Sequence, residues 1–108
     1  MTILNDVKHQ LGLLPGDTSF DTDVIIHANT VFSILTQLAV GPPEGFQIED
    51  GTEEWSLFYD DPRLNAIKSY VFLRVKLLFD PPTTGFTLAA YERQFAEMEF
   101  RLNSEVDF

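Results

Sequence analysis

Seventeen carboxylates, two imidazoles and seven bases are the groups from which this 108-residue chain would have to build acid–base, metal or phosphate chemistry. His9 and His27 stand on separate segments. Neither has a second ligand at i+3 or i+4, a spacing that sets two side chains on one helix face. Both read as solvated or hydrogen-bonded histidines. The run Asp17-Thr18-Ser19-Phe20-Asp21-Thr22-Asp23 places oxygens at alternate positions, as the start of an EF-hand loop does. Its sixth residue is Thr22 where the sharp turn needs Gly, and its twelfth is Ala28 where a bidentate Glu belongs. These acids are expected to serve turns and a helix cap instead. Glu53–Glu54 and Asp60–Asp61 are paired carboxylates, but adjacent residues on a helix point apart, and helix N-termini attract acids for electrostatic reasons alone. There is no GxSxG, no phosphate-cradling glycine loop and no cysteine. Serines 19, 33, 56, 69 and 104 lack a base at suggestive spacing. The expectation is a protein that is not an enzyme, with no cofactor and no metal.

The elements that would position these groups are helical throughout. Gly12, Pro15–Gly16, Gly41–Pro42–Pro43, Asp50–Gly51, Asp61–Pro62 and Pro81–Pro82 punctuate the chain, and the segments between them carry helical period. A first helix is expected over about 3–11, with Thr2 as its cap, a Leu4, Val7, Leu11 stripe and Gly12 as its stop. A second is expected over about 22–39, capped by Asp21, with Phe20 and Ile25 as a hydrophobic staple. Its core stripe is Ile25, Ala28, Phe32, Leu35 and Ala39, widened by Val24, Val31 and Leu38. Residues 41–51 read as a loop or a short hairpin, because Phe46 and Ile48 alternate with Gln47 and Glu49 ahead of the Asp50–Gly51 turn. A short helix capped by Thr52 follows, anchored by Trp55 and Phe58.

Asp61 as cap and Pro62 at the first helical position open the fourth segment, which continues to Phe79 before Asp80-Pro81-Pro82. Leu64, Ile67, Val71, Val75 and Leu78 form one stripe, and Tyr70, Phe72, Leu73, Leu77 and Phe79 spread apolar surface round the rest. A helix apolar nearly all round is central, or is partly covered by a neighbouring molecule. The last helix is expected over about 88–103, capped by Thr87, with Leu88, Tyr91, Phe95, Met98 and Leu102 facing the core. Arg93–Glu97 and Glu97–Arg101 are expected as surface pairs, and Phe100 lies off the stripe. The fold class is therefore all-α: a small bundle of four main helices plus one short one, a single domain over residues 1–103 with a short tail at 104–108.

The composition, 44% hydrophobic with ten Phe, allows a packed core without disulfides. No apolar run approaches the roughly 18 residues of a membrane span, and no secretory signal is read. The net charge of -10 argues against holding nucleic acid by phosphate neutralisation. That charge is unevenly placed. Residues 1–61 hold eleven acids and the single base Lys8, whereas residues 62–108 are balanced at six and six. Residues 62–79 carry Arg63, Lys68, Arg74 and Lys76 with no acid. This helix reads either as a solvated face or as a contact with the acidic half of a neighbour.

The run Lys68-Ser69-Tyr70-Val71-Phe72-Leu73-Arg74-Val75-Lys76-Leu77-Leu78-Phe79-Asp80-Pro81-Pro82 resembles the signature helix and stop of the tailed-phage, siphovirus-type head–tail connector (adaptor) family. Tyr91-Glu92-Arg93-Gln94 and Glu99-Phe100-Arg101-Leu102-Asn103 are similar to that family's last helix. Asp21 and Asp23 before a long helix ending at Gly41, and the Thr52-Glu53-Glu54-Trp55 turn, fit it as well. The resemblance implies a structural, head-completion role: a small helical protein forming a ring, typically dodecameric, beneath the portal of a filled capsid. Such a ring extends the DNA channel and gives the next head-completion or tail protein a platform. It implies location at the virion head–tail junction, with assembly in the host cytoplasm. Its partners would be other copies of itself, the portal and the downstream protein, with DNA passing through unbound and no membrane. The residues themselves supply candidates for these roles: Arg63, Lys68, Tyr70, Arg74 and Lys76 for subunit contacts; Glu44, Glu49, Asp50, Glu53 and Glu54 for the channel; Phe100 and Phe108 for partner docking. The alternative from another class is an acidic helical protein-binding module, such as an inhibitor, an adaptor or a DNA mimic, with no phage-assembly role.

Overall fold

The computed structural model describes residues 2–58 and 64–106, with the side chains of the last helix described as far as Leu102. Helix α1 spans Ile3–Gln10, α2 Asp21–Gln37, α3 Trp55–Phe58, α4 Leu64–Phe79 and α5 Gly85–Val106. The main pairing is α2 against α4; α1 packs on both, and α5 packs on α4. No strand forms among the described residues. The segment before α3 is a loop rather than a hairpin, joined to the N-terminus by one antiparallel bridge between Thr2 and Glu54.

Local chemistry explains most of the boundaries. Thr2 caps α1 by accepting from the Asn5 N–H at 3.2 Å, which satisfies one of the four unpaired donors of a helix start. At the other end Gly12 takes φ +80°, with its N–H bonded to His9 and that of Leu13 to Lys8. Those two bonds define a Schellman stop. Helix α2 ends by the same device without the usual glycine. Ala39 sits at φ +62° while its N–H meets Thr36 and that of Val40 meets Leu35. The expected core position at Ala39 is therefore an exposed left-handed cap, and Val40 is the residue that turns inward.

Three starts differ from expectation. Helix α2 begins at Asp21, and Phe20 occupies the cap position without a side-chain bond. Phe20 packs edge-on against Phe79, with centroids 5.6 Å apart, rather than stapling Ile25. Helix α3 starts at Trp55, and Thr52 turns back to Asp50 instead of capping it. Helix α5 starts three residues earlier than Leu88, because Thr84 rather than Thr87 accepts the capping bond, from Thr87 N–H at 3.2 Å. It also runs through Val106, into the expected tail. Asp61 and Pro62 lie outside the described residues.

Phe32 of α2 is the hub of the core. Its ring lies 5.0 Å from Phe46, 4.9 Å from Phe58 and 6.2 Å from Trp55. Around it pack Ile3 and Val7 of α1, Val24, Ala28 and Leu35 of α2, and Ile67, Val71 and Val75 of α4. Gly41 is obligatory here: a side chain at its φ of +92° would bring Cβ within 2.5 Å of the Phe58 ring.

Candidate functional site

The residues with functional chemistry form four groups, and the fold ties most of them to one another. The first is on α4 and α5. Tyr70 is fully buried and its hydroxyl donates to Glu99 Oε2 at 2.6 Å. Arg74, one turn on, donates from Nε to the Tyr70 hydroxyl at 3.2 Å and from Nη2 to the same Glu99 oxygen at 2.6 Å. The guanidinium also lies 4.4 Å from the centroid of the Phe95 ring, a cation–π arrangement. Burial, and then the bond to Glu99, push the Tyr70 phenol up to about 12. Burial alone would raise the Glu99 carboxyl, but the bonds from Tyr70 and Arg74 and the arginine charge outweigh it and hold the group below its ordinary range. This cluster is the staple that binds α5 to α4. Of the subunit-contact candidates, Tyr70 is thus buried within the protomer and Arg74 is paired there with Glu99.

The second group is Asp6, Trp55 and Lys68. Trp55 Nε1 donates to Asp6 Oδ2 at 2.8 Å. Lys68 Nζ lies 3.8 Å from the same oxygen and 5.3 Å from the centroid of the indole. Lys68 thereby links α4 to α1 and α3 inside the protomer. Lys76 is different. It is exposed and has no ion-pair partner among the described residues. It borders a cleft of about 300 Å³ with Asp80, Pro81, Thr83 and Tyr91. Arg63 and Phe108 lie outside the described residues. Phe100 is 73% exposed on α5.

The third group was not legible in advance. Lys8, the lone base of the acidic half, is 1% exposed. Its ammonium donates to the Asp17 carbonyl at 2.6 Å and the Pro15 carbonyl at 3.2 Å. It also meets Asp21 Oδ1 at 2.8 Å as an ion pair. The Asp21 side chain as a whole is 27% exposed, but that oxygen is closed off from solvent, so the lysine is its sole compensation. The would-be EF-hand acids thus have ordinary tasks. Asp17 accepts the Ser19 N–H at 3.0 Å, which lowers its carboxyl pKa, and Asp21 anchors Lys8 rather than capping α2. Among the described residues no group of three or more His, Cys, Asp or Glu is placed to hold a metal ion.

The fourth group is the acidic loop ahead of α3. Asn29 of α2 pins it, donating from Nδ2 to the Ile48 carbonyl at 3.0 Å and accepting the Ile48 N–H at 2.6 Å. Glu53 accepts from the N–H groups of Glu49 at 2.8 Å and Gly51 at 3.1 Å. Asp50 accepts from the hydroxyl and N–H of Thr52 at 2.7 and 3.0 Å, and those bonds lower its pKa. Two of the five channel candidates, Glu53 and Asp50, therefore build the loop. Glu44, Glu49 and Glu54 stand exposed. On α5 Arg101 pairs with Glu97, but the expected Arg93–Glu97 pair is not made.

Sequence reasoning missed Lys8, Asn29 and Glu99. Lys8 carried a signal, a single base among eleven acids. Glu99 carried none, since its partners lie 25 and 29 residues away.

A family model described as phage connector protein matches residues 3–107. No curated protein and no solved structure matches the chain.

Proposed function

Because this chain belongs to the phage connector protein family, we propose that it acts as a head–tail connector, completing the filled head as a ring of identical copies beneath the portal. The match across nearly the whole chain is the observation that carries this reading. The geometry is consistent with a structural task. The ionisable groups that come together, Tyr70–Arg74–Glu99 and Lys8–Asp21, lie between helices and hold the fold, and neither borders one of the clefts found between its elements. In the ring, the portal binds one face and the next head-completion or tail protein binds the other, so that the central opening continues the DNA channel.

Glu44, Glu49 and Glu54 are the acids available to face that opening. Like charge repels phosphate, so DNA would pass without adhering. Asp50 and Glu53 add charge but are needed to shape the loop.

Co-sedimentation of the purified chain with DNA-filled, portal-bearing capsids tests the reading, with electron microscopy to locate the bound copies. A ring at the portal vertex is the expected result. Failure to bind such capsids, with binding instead to an unrelated soluble partner, would favour the acidic protein-binding module and overturn the connector role. Replacing Glu49 and Glu54 together by Gln should slow DNA passage while leaving ring attachment unchanged; unchanged DNA ejection would remove the channel role of the loop.

A further inference from the structure

Helix α5 has two seams. Its inner one, Tyr91, Phe95, Met98 and Leu102, packs on the rest of the domain, with Phe95 and Leu102 buried in the core, while Leu88 at its start is exposed rather than core as expected. Half a turn round the same helix, Phe86, Ala89, Arg93, Ala96 and Phe100 repeat the same alternation of three and four. All five are exposed, Phe86 at 84% and Phe100 at 73%. The outer face of a helix packed on one side is ordinarily polar. Here two open phenylalanines lie about 21 Å apart along the axis, spaced by small residues. That is the seam of a helix that takes a second helix along its outer side.

Charge and shape indicate what covers it. Arg93, at the middle of the seam, has no ion-pair partner among the described residues, since Glu97 pairs with Arg101. In the acidic half, Asp23 and Glu44 are exposed carboxylates that likewise make no ion pair among the described residues. Both flank the outer face of α2, where Asp23, Ile26, Thr30, Ser33 and Gln37 are exposed with the same spacing as the α5 seam. Ile26 is 55% exposed, and the small Thr30 and Ser33 leave room for a large ring. At its C-terminal end this face opens into a groove of about 430 Å³ lined by Ser33, Gln37, Glu44 and Phe46. Its lining is otherwise mainly amide and hydroxyl groups, with the Phe46 ring as its one aromatic wall and the Glu44 carboxylate at its rim.

We propose that the outer seam of α5 docks along the outer face of α2 of a second copy. A phenylalanine of the seam enters the groove over Phe46, and Arg93, about 10.5 Å along the seam from either phenylalanine, meets the Asp23 carboxylate toward the other end of α2. The two faces are different patches, so the contact is head-to-tail and propagates from copy to copy, closing into a ring where the rotation permits. This inference rests on the connector reading and names the surface by which its ring would form.

The full chain is tested by native mass spectrometry and sedimentation velocity over a concentration series, and by counting copies bound to portal-bearing capsids. The wild type is expected to self-associate. Phe86→Ser with Phe100→Ser should weaken association by roughly 100-fold, as loss of two buried aromatic anchors does. Helix content by circular dichroism should be unchanged, because both side chains are exposed in the protomer. Arg93→Glu should weaken association, and adding Asp23→Lys should restore part of it. Self-association of the double serine variant at the wild-type concentration overturns the seam while leaving a ring intact. A wild type that is monomeric in solution and does not multiply on capsids overturns the ring reading and the docking with it. Normal self-association combined with loss of capsid binding would assign the seam to another virion protein, against the proposal.

Discussion

Lys8→Met tests whether a single buried ammonium holds the N-terminal third of the domain together. Methionine keeps most of the aliphatic stem that packs between α1 and α2 and removes only the charge and its donors. Three oxygens lose their partner: the Asp17 and Pro15 carbonyls at 2.6 and 3.2 Å and Asp21 Oδ1 at 2.8 Å. Removing one member of a fully buried pair costs about 3–5 kcal/mol. The residue carrying Pro15 is exposed and Asp17 is half-buried, so water can replace the lysine at those carbonyls. Asp21 Oδ1 is closed to solvent and bears the main penalty, although its side chain is 27% exposed and can swing outward. The balance is about 2–3 kcal/mol, at or just below the bottom of that range. Urea unfolding followed by Trp55 fluorescence and far-ultraviolet circular dichroism should then show a midpoint lower by about 1–2 M, with the slope unchanged. The double variant Lys8→Met, Asp21→Asn should recover about 1 kcal/mol, since the orphaned charge is gone. A Lys8→Met midpoint within about 0.3 M of wild type would refute the reasoning, because it would mean that the loop and α2 hold their places without the pin.

The remaining expectations concern the α4–α5 staple and the end of α2. Tyr70 titrates near 12 in the folded chain and near 10 when unfolded, so its stabilising contribution is complete below pH 10 and is lost as the pH rises toward 12. The loss amounts to about 2–3 kcal/mol, and Tyr70→Phe should flatten that limb of the stability–pH curve. Glu99 has the opposite sense: its lowered pKa contributes stability above the ordinary carboxylate range that disappears as the pH falls through its folded value, measurable as an acid limb absent in Glu99→Gln. Arg74→Glu should destabilise the protomer itself by about 2–4 kcal/mol, because it sets a second carboxylate against Glu99 where a cation had satisfied it; thermal unfolding of the isolated chain checks this independently of any assembly assay. Ala39→Gly should raise stability by about 1 kcal/mol by relieving the left-handed conformation of a residue with a Cβ, read as an upward shift in melting temperature of several degrees.

What could be read in advance follows the range of the forces involved. Thr2, Gly12 and Asp80-Pro81-Pro82 act on their own turn, and α1 and α4 end where those residues place them. The end of α2 differs from expectation because a glycine is the usual mark of a left-handed cap, and here Ala39 does that work two residues before Gly41. The start of α5 differs because two threonines three residues apart are equivalent as caps by pattern, and it is Thr84 that accepts the capping bond. The stripe on α4 identified Ile67, Val71 and Val75 as core, but not Tyr70, whose hydroxyl needs Glu99 from 29 residues away before burial is tolerable. The basic run on α4 was visible as a run. That Lys68 and Arg74 are spent within the protomer depends on Asp6 and Glu99, which no local pattern connects to them.

That internal pairing changes the meaning of the charge division. Four described bases, Lys8, Lys68, Arg74 and Arg101, are matched within the chain, so the basic character of α4 is largely consumed in holding the protomer together. Lys76 and Arg93 have no ion pair among the described residues, and neither do the exposed acids Asp23, Glu44, Glu49 and Glu54. Copies that each carry a net charge of -10 repel one another over the Debye length of about 8 Å at physiological salt. Side-by-side assembly therefore requires that the contact use the free cations and that the surplus acids be left facing solvent or a shared opening. A seam centred on Arg93 meets the first requirement, because a cation within about 4 Å of a carboxylate acts inside the screening length, whereas the repulsion between distant acids is damped. The loop acids Glu49 and Glu54 meet the second. In the proposed ring, the same imbalance that disfavours holding DNA would direct both where copies touch and which surface they leave to the passage between them.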